Sequence, residues 1–224
     1  MSKQKIVILG AGGHAREVLD VVEAINAEKP SLQMLGFIVE PGYQKPGTWI
    51  NDLPVLGHFD WLEENQYQVK VVCGVGFSAP RYRVVQKAEQ LGVEFVNLIH
   101  PTALLTRWVT LGSGVIITAG CILTNQITIG NHVHLNRRSN ISHDNLLEDF
   151  VTVSPGANLS GNVTLKQGSF IGTGASIIEG KTVGAWSRIG AGAAVIEDIP
   201  DNVTAVGVPA EVVETRPAGW HLED

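Results

Sequence analysis

Residues 141–184 read ISHDNLLEDFVTVSPGANLSGNVTLKQGSFIGTGASIIEGKTVG, and this stretch decides the fold. An aliphatic side chain returns at every sixth position: Ile141, Leu147, Val153, Leu159, Leu165, Ile171, Ile177 and Val183. Working outward, the register holds back through Leu135, Ile129, Leu123, Ile117, Leu111 and Leu105 to Ile99, and forward through Ile189 to Val195, without a slip. Four positions after each aliphatic stands a mostly small or β-branched residue, as at Val133, Val151, Ala157, Val163 and Ala175. Glycines recur at the corners between, at Gly112, Gly130, Gly172, Gly184 and Gly190. A six-residue unit is too short for a helix and too regular for a sandwich, and hexapeptide repeats are the signature of parallel β-helices. Three hexads close one triangular coil, in which each aliphatic points inward and stacks on its counterpart roughly 4.8 Å away. Residues 99–197 are therefore expected to form a left-handed parallel β-helix of roughly five coils, each burying its apolar residues only against its neighbours.

The chain before this array is of another kind. Residues 5–9 are an apolar strand, followed by Gly10-Ala11-Gly12-Gly13-His14 and a helical period over 15–27 through Val18, Leu19, Val22 and Ile25. A second strand is expected at 34–39, a Pro- and Gly-rich loop at 41–57, a third strand at 69–75, a helix near 81–91 and a short strand at 94–98. Alternating β and α segments imply a small parallel, Rossmann-like sheet. Residues 1–98 thus form an α/β domain, too short for both halves of a dinucleotide fold, and 198–224 form a tail.

Composition narrows the function. The 224 residues carry a net charge of −6, with 16 Lys and Arg scattered along the chain. That is not the basic footprint of a nucleic-acid binder. The N-terminal apolar stretch Ile6-Val7-Ile8-Leu9 is too short for a signal core or a membrane span. Cys73 and Cys121 both lie in apolar runs and read as buried free thiols of a reducing, cytoplasmic setting.

Two motifs carry chemistry. The glycine turn at 10–14, between a strand and a helix, points backbone N–H groups at an anion. Its functional reading is a phosphate-bearing nucleotide, with Glu40 placed to bind a ribose or a base; the alternative is a turn needed only for close helix–strand packing. His143-Asp144 lies outside the inward slot of its hexad, so the coil does not require it. An imidazole oriented by a carboxylate is a general base, and the alternative is a solvent-facing or interface histidine. His132, His134 and His143 invite a zinc reading on the pattern of the trimeric γ-class carbonic anhydrases. That pattern needs a distant first histidine and then a close pair, whereas here the close pair comes first, so no metal is expected.

Together, the N-terminal ILGAGGHAREV segment, the hexads, Asn136 ahead of His143-Asp144, residues 157–163 and Gly207-Val208-Pro209-Ala210 resemble the sugar O-/N-acetyltransferase family over nearly the whole chain. That family includes bacterial nucleotide-4-amino-sugar N-acetyltransferases and sialic acid O-acetyltransferases. The resemblance implies a homotrimer with acetyl-CoA lying along the β-helix between subunits. It implies His143 as base with Asp144 orienting it, and Gly161, one coil on, offering its N–H to the thioester oxygen. It implies coenzyme contacts at Thr152, Thr173, Ala191, Gly207 and Pro209, and sugar-nucleotide contacts at Gly12, Gly13, His14, Glu40, Gly74, Arg81 and Asn136. The chain departs from common family patterns at three points. Thr152 stands where many relatives have a second histidine, Val39-Glu40 where they often carry two aspartates, and Glu211 where a basic residue often follows the Gly-Val-Pro-Ala motif. The expected reaction is N-acetylation of a nucleotide-linked 4-amino-4,6-dideoxy sugar in surface-glycan synthesis. O-acetylation of sialic acid or a related sugar is the alternative within the enzyme class, and a non-catalytic nucleotide-sugar sensor the alternative outside it.

Overall fold

The computed structural model describes residues 3–223. The first strand, β1 (Gln4–Leu9), buries its last four side chains completely, as a central parallel strand covered on both faces must. After it come α1 (Gly13–Glu28), β2 (Leu32–Ile38), β3 (Trp49–Ile50), β4 (Leu53–Gly57), α2 (Phe59–Asn65), β5 (Lys70–Cys73), α3 (Ser78–Gln90) and β6 (Glu94–Phe95). The strand order is β3-β4-β2-β1-β5-β6. All neighbours are parallel except β3 and β4. The expected Pro/Gly loop therefore holds two strands. Asn51 and Asp52 both take positive φ, 44° and 60°, between Ile50 and its partner Leu53. That makes a two-residue hairpin of the kind that suits strand twist.

From β7 (Leu98–Ile99) onward the backbone winds into the expected left-handed parallel β-helix, with one two- or three-residue strand per side. Three sheets result. Sheet I stacks Leu98–Ile99, Ile116–Ile117, His134–Leu135, Thr152–Val153, Phe170–Ile171 and Arg188–Ile189. Sheet II runs from Leu104–Leu105 through Asn140–Ile141 to Ala194–Val195, and sheet III from Val109–Leu111 through Leu146–Leu147 to Thr182–Val183. The hexad aliphatics from Ile117 to Val195 join the inward small residues in one continuous buried cluster. The tail is not loose. Val203–Val206 adds a parallel strand to sheet I beside Arg188–Ile189, and Glu211–Thr215 pairs antiparallel with it and covers the end.

Each turn from 114 to 192 has a left-handed residue at the same position of the hexad. Glycine fills seven of these places, at Gly114, Gly120, Gly156, Gly168, Gly174, Gly180 and Gly192. The other seven hold Gln126, His132, Arg138, Asp144, Phe150, Asn162 and Trp186, with φ of 54° to 63°. An L side chain held there costs of order 1–2 kcal/mol.

The α/β domain is fixed to sheet I and to the edge between sheets III and I. Helix α1 packs Val18 and Val22 in one cluster with Leu98 and Ile116. Helix α3 lays Tyr82 edge-on against Phe150 and Trp186, with ring centroids at 5.0 and 5.4 Å. His221, in the C-terminal segment, stacks on Trp186 at 3.8 Å. Trp186 is 6% exposed, and it fits because Gly168 lies beneath it, where a Cβ would meet the indole at 2.1 Å. Trp186→Ala is expected to lower unfolding free energy in urea by about 3–5 kcal/mol, the usual range for removing a buried aromatic.

Candidate functional site

At the carboxyl ends of β1, β2 and β5 a cleft of about 620 Å³ opens, at the position where open α/β sheets take ligands. Its floor is the glycine turn. Gly10 leaves β1 at φ +91° and donates its N–H to Ile38 O at 2.7 Å. Gly12 caps α1 with no side-chain bond, and a Cβ there would meet nothing within 4 Å. The free amides of this helix start give the cleft an anion-attracting end. Gly74 also lines the cleft, and packing demands a glycine there, because its Cβ would lie 2.7 Å from both Ala15 and Ile8. Glu40 and Lys87 form a 2.8 Å ion pair on the wall, and Tyr43, Phe59 and Phe77 also line the cleft.

His14 closes the inner end. Its Nε2 lies 3.1 Å from Nδ1 of His134 on sheet I, and its Nδ1 lies 3.4 Å from Glu17. Arg81 also donates to Nδ1 of His134, at 3.1 Å. That nitrogen must therefore be an acceptor, which leaves the His134 proton on Nε2. Burial first, and the Arg81 cation second, hold the pKa of His14 below and that of His134 well below the usual histidine value. The same causes push His132 down to about 4, where it is stacked against Phe150.

Two residues expected at the ligands are found in the seam between the domains. Arg81 is fully enclosed. It donates to the carbonyls of Val75 and Gly76 in the cleft wall, and across the seam to Phe150 O, Val151 O and Thr152 Oγ1. Burial lowers its pKa to about 10, so it stays a cation. Thr152, expected at the acetyl group, is 2% exposed and lies within hydrogen-bonding distance of Ser78 and Gly76 O as well. Both stand in the joint, where Nη1 and Nη2 of Arg81 and the Thr152 hydroxyl are engaged by the chain itself and only Nε of Arg81 is left without a partner among the described residues. Asn136 is also buried, with Nδ2 donating to Val153 O.

His143 sits on the edge between sheets II and III and is 57% exposed. Its Nδ1 donates to Asp144 Oδ2 at 2.8 Å, which leaves Nε2 with the lone pair. Gly161 lies directly under the ring, since a Cβ there would come within 2.3 Å of His143 Cε1. The Gly161 N–H donates to no backbone carbonyl among the described residues. Thr173, Ala191, Gly207 and Pro209 are exposed along a different edge, between sheets I and II. One chain thus separates the expected residues into four groups: the cleft of the α/β domain, the seam between that domain and the β-helix, the His143 edge opposite sheet I, and the ridge between sheets I and II. Lys87 and the aromatic wall were not foreseen, since no local pattern ties residue 87 to residue 40. Cys73 and Cys121 are buried free thiols, the former pushed up to about 11 by burial.

A family model described as the PglD N-terminal domain matches residues 5–88. The chain is similar to a variant of GDP-perosamine N-acetyltransferase from Caulobacter crescentus, solved with CoA and GDP-perosamine. The two share 30% identity over 95% of this chain and 98% of that one, with a TM-score of 0.87. It is similar to the acetyltransferase domain of PglB from Neisseria gonorrhoeae FA1090, solved with acetyl coenzyme A, at 31% identity over 95% and 100%, TM-score 0.85. WeeI from Acinetobacter baumannii AYE aligns at 29% identity over 94% and 100%, TM-score 0.84. Among curated proteins none matches the sequence.

His132 supplies a pH test of this joint. Its pKa falls from 6.5 unfolded to about 4 folded, so between those values the unfolded chain binds more protons. Stability therefore falls as pH drops from 6.5 towards 4 and is full above 6.5. In His132→Asn, the slope of unfolding free energy against pH in that window should be flatter by about 1.4 kcal/mol per pH unit.

Proposed function

The chain belongs to the sugar O-/N-acetyltransferase family, and on that premise we propose that it moves the acetyl group of acetyl-CoA to the 4-amino group of a nucleotide-linked 4-amino-4,6-dideoxy sugar. The observation that carries the reading is the cluster of His143, Asp144 and Gly161 on one exposed edge. The amine nitrogen attacks the thioester carbonyl carbon, and its proton passes to Nε2 of His143. Asp144 holds the ring in the tautomer that accepts it. The Gly161 N–H faces the carbonyl oxygen as it gains negative charge, a contact typically worth about 10²–10³ in rate. Collapse expels the coenzyme thiolate, which takes up the proton. The glycine turn holds the nucleotide diphosphate, a task that free sialic acid would leave undone. The relatives from Caulobacter and Neisseria, with GDP-perosamine and acetyl coenzyme A in their sites, support the same reaction class.

We further propose a homotrimer in which each reaction centre joins two chains. In a triangular prism the edge between sheets II and III is opposite sheet I, and sheet I carries the cleft. A chain's own base is therefore on the far side from its own cleft. Leu104, Ile122, Ile178 and Ile196, on sheet II and along the His143 edge, are 42–59% exposed, an apolar surface that a neighbouring copy would cover. A closed threefold ring brings one chain's His143 to the next chain's cleft three times over.

Free-thiol release from acetyl-CoA with UDP-, dTDP- and GDP-linked 4-amino sugars and free sialic acid tests the reaction. His143→Ala should lose about 10²–10⁴ in kcat, and unchanged turnover in that variant would remove His143 from the mechanism. Gly161→Ala should also lose turnover, because its Cβ would displace the His143 ring. Mixed trimers test the assembly. His143→Ala chains combined with Gly12→Asp chains, whose carboxylate repels the diphosphate, should recover about one quarter of wild-type activity if each centre spans two chains. Centres built within one chain would recover none.

A further inference from the structure

The base-binding end of the cleft is chemically specific. Resting on the reading of the glycine turn as the diphosphate site, we propose that Glu40 and Lys87 select guanine, so that the substrate is a guanosine diphosphate sugar. Glu40 follows β2 and Lys87 stands on α3, and the two side chains meet across the cleft wall at 2.8 Å while remaining 30% and 55% exposed. The pair presents two carboxylate acceptors beside one ammonium donor. The Watson–Crick edge of guanine is the complement: N1–H and the N2 amino group donate side by side, and O6 accepts next to them. Uracil and thymine present one N–H between two carbonyls, so the second carboxylate oxygen would face a carbonyl oxygen without a proton. Adenine and cytosine offer a single donor group and leave the same oxygen unpaired.

A ribose-reading carboxylate at the end of β2 is the other use of such a position. Two hydroxyl donors need no ammonium beside the acid, so Lys87 argues for the base. Tyr43 adds a second argument. Its N–H donates to Glu40 O at 3.2 Å, closing a turn that holds the phenol at the rim with 76% of its surface exposed. An aromatic side chain left bare beside a polar pair provides a stacking surface for a base.

Calorimetric titration of the full-length protein with GDP, IDP, dGDP, UDP and dTDP tests this. GDP should bind at least about tenfold more tightly than UDP and dTDP, in line with the discrimination of a bidentate base contact. IDP, which lacks the N2 amino group, should fall between, and dGDP should bind like GDP. Glu40→Gln and Lys87→Met should each weaken GDP while leaving UDP unchanged. UDP or dTDP binding as tightly as GDP overturns the proposal and leaves the transfer reaction standing. So does an equal loss for GDP and UDP in Glu40→Gln with dGDP already weak in the parent, which assigns the carboxylate to the ribose. No binding of any diphosphate overturns the glycine-turn reading as well.

Discussion

A strand of two residues buries nothing by itself, and nearly every strand of the β-helix is that short. Each coil is stable only because the aliphatic side chain one coil away, 18 residues on, lies directly above it, as Leu135 lies on Ile117 and Val153 on Leu135. The stacking fixes the register absolutely, because an insertion of one residue would turn every later inward side chain outward. Three flat faces and three straight edges follow from that constraint. The α/β domain uses one face as its floor, and the candidate reaction groups use an edge. The position of each is set by its place in the hexad, so a residue's number modulo six and eighteen nearly gives its address on the prism.

The left-handed slot at each turn shows where the repeat has been bent to other ends. Glycine is the unstrained occupant, so each other residue there carries a conformational cost that something else must offset. Phe150, Trp186 and His132 fall on the edge covered by the α/β domain, where burial against Tyr82, His221 and Phe95 supplies the offset. Asp144 is exposed and has no such burial, yet its carboxylate meets His143 at 2.8 Å. Gln126, Arg138 and Asn162 are likewise exposed in the same slot, so what sets Asp144 apart is its bond to the imidazole and not the backbone conformation.

Much of this was legible in the residue order because it is periodic or local. The hexads gave the β-helix from Ile99 onward, and the glycine turn with its flanking strand and helix gave the parallel sheet. The hairpin of β3 and β4 was hidden by Pro54 and by strands too short to show alternation, although Asn51-Asp52 is a turn signal. The ordered tail was hidden because Val203–Val206 continues sheet I after the hexads stop. The burial of Arg81 and Thr152 in the seam was hidden for one reason: a polar residue near a ligand motif looks the same in sequence whether it faces the cleft or the seam behind it. The pair of Glu40 and Lys87 spans two elements, 47 residues apart, and no period links them.

The joint explains why Arg81 can be a buried cation with no carboxylate partner among the described residues. Apart from the His134 ring nitrogen and the Thr152 hydroxyl, its partners are backbone carbonyls at the seam, and of these only Val151 O also accepts a sheet hydrogen bond, from His134 N–H at 2.9 Å. A guanidinium has five donors in a fixed plane and can serve them together, whereas an apolar replacement would leave several buried acceptors unmade, at about 1–3 kcal/mol each. Because Val75 and Gly76 are in the cleft wall and Phe150 to Thr152 are in the β-helix, the same bonds fix the cleft relative to the prism. Its charge also lies behind the glycine turn, where it adds to the field of the α1 amides and lowers the pKa of His14. If the acceptor sugar must reach a base on another chain, that rigidity sets the accuracy of the approach. A displacement of an ångström at the joint would be carried to the reacting nitrogen, a misplacement that can cost about a hundredfold in rate.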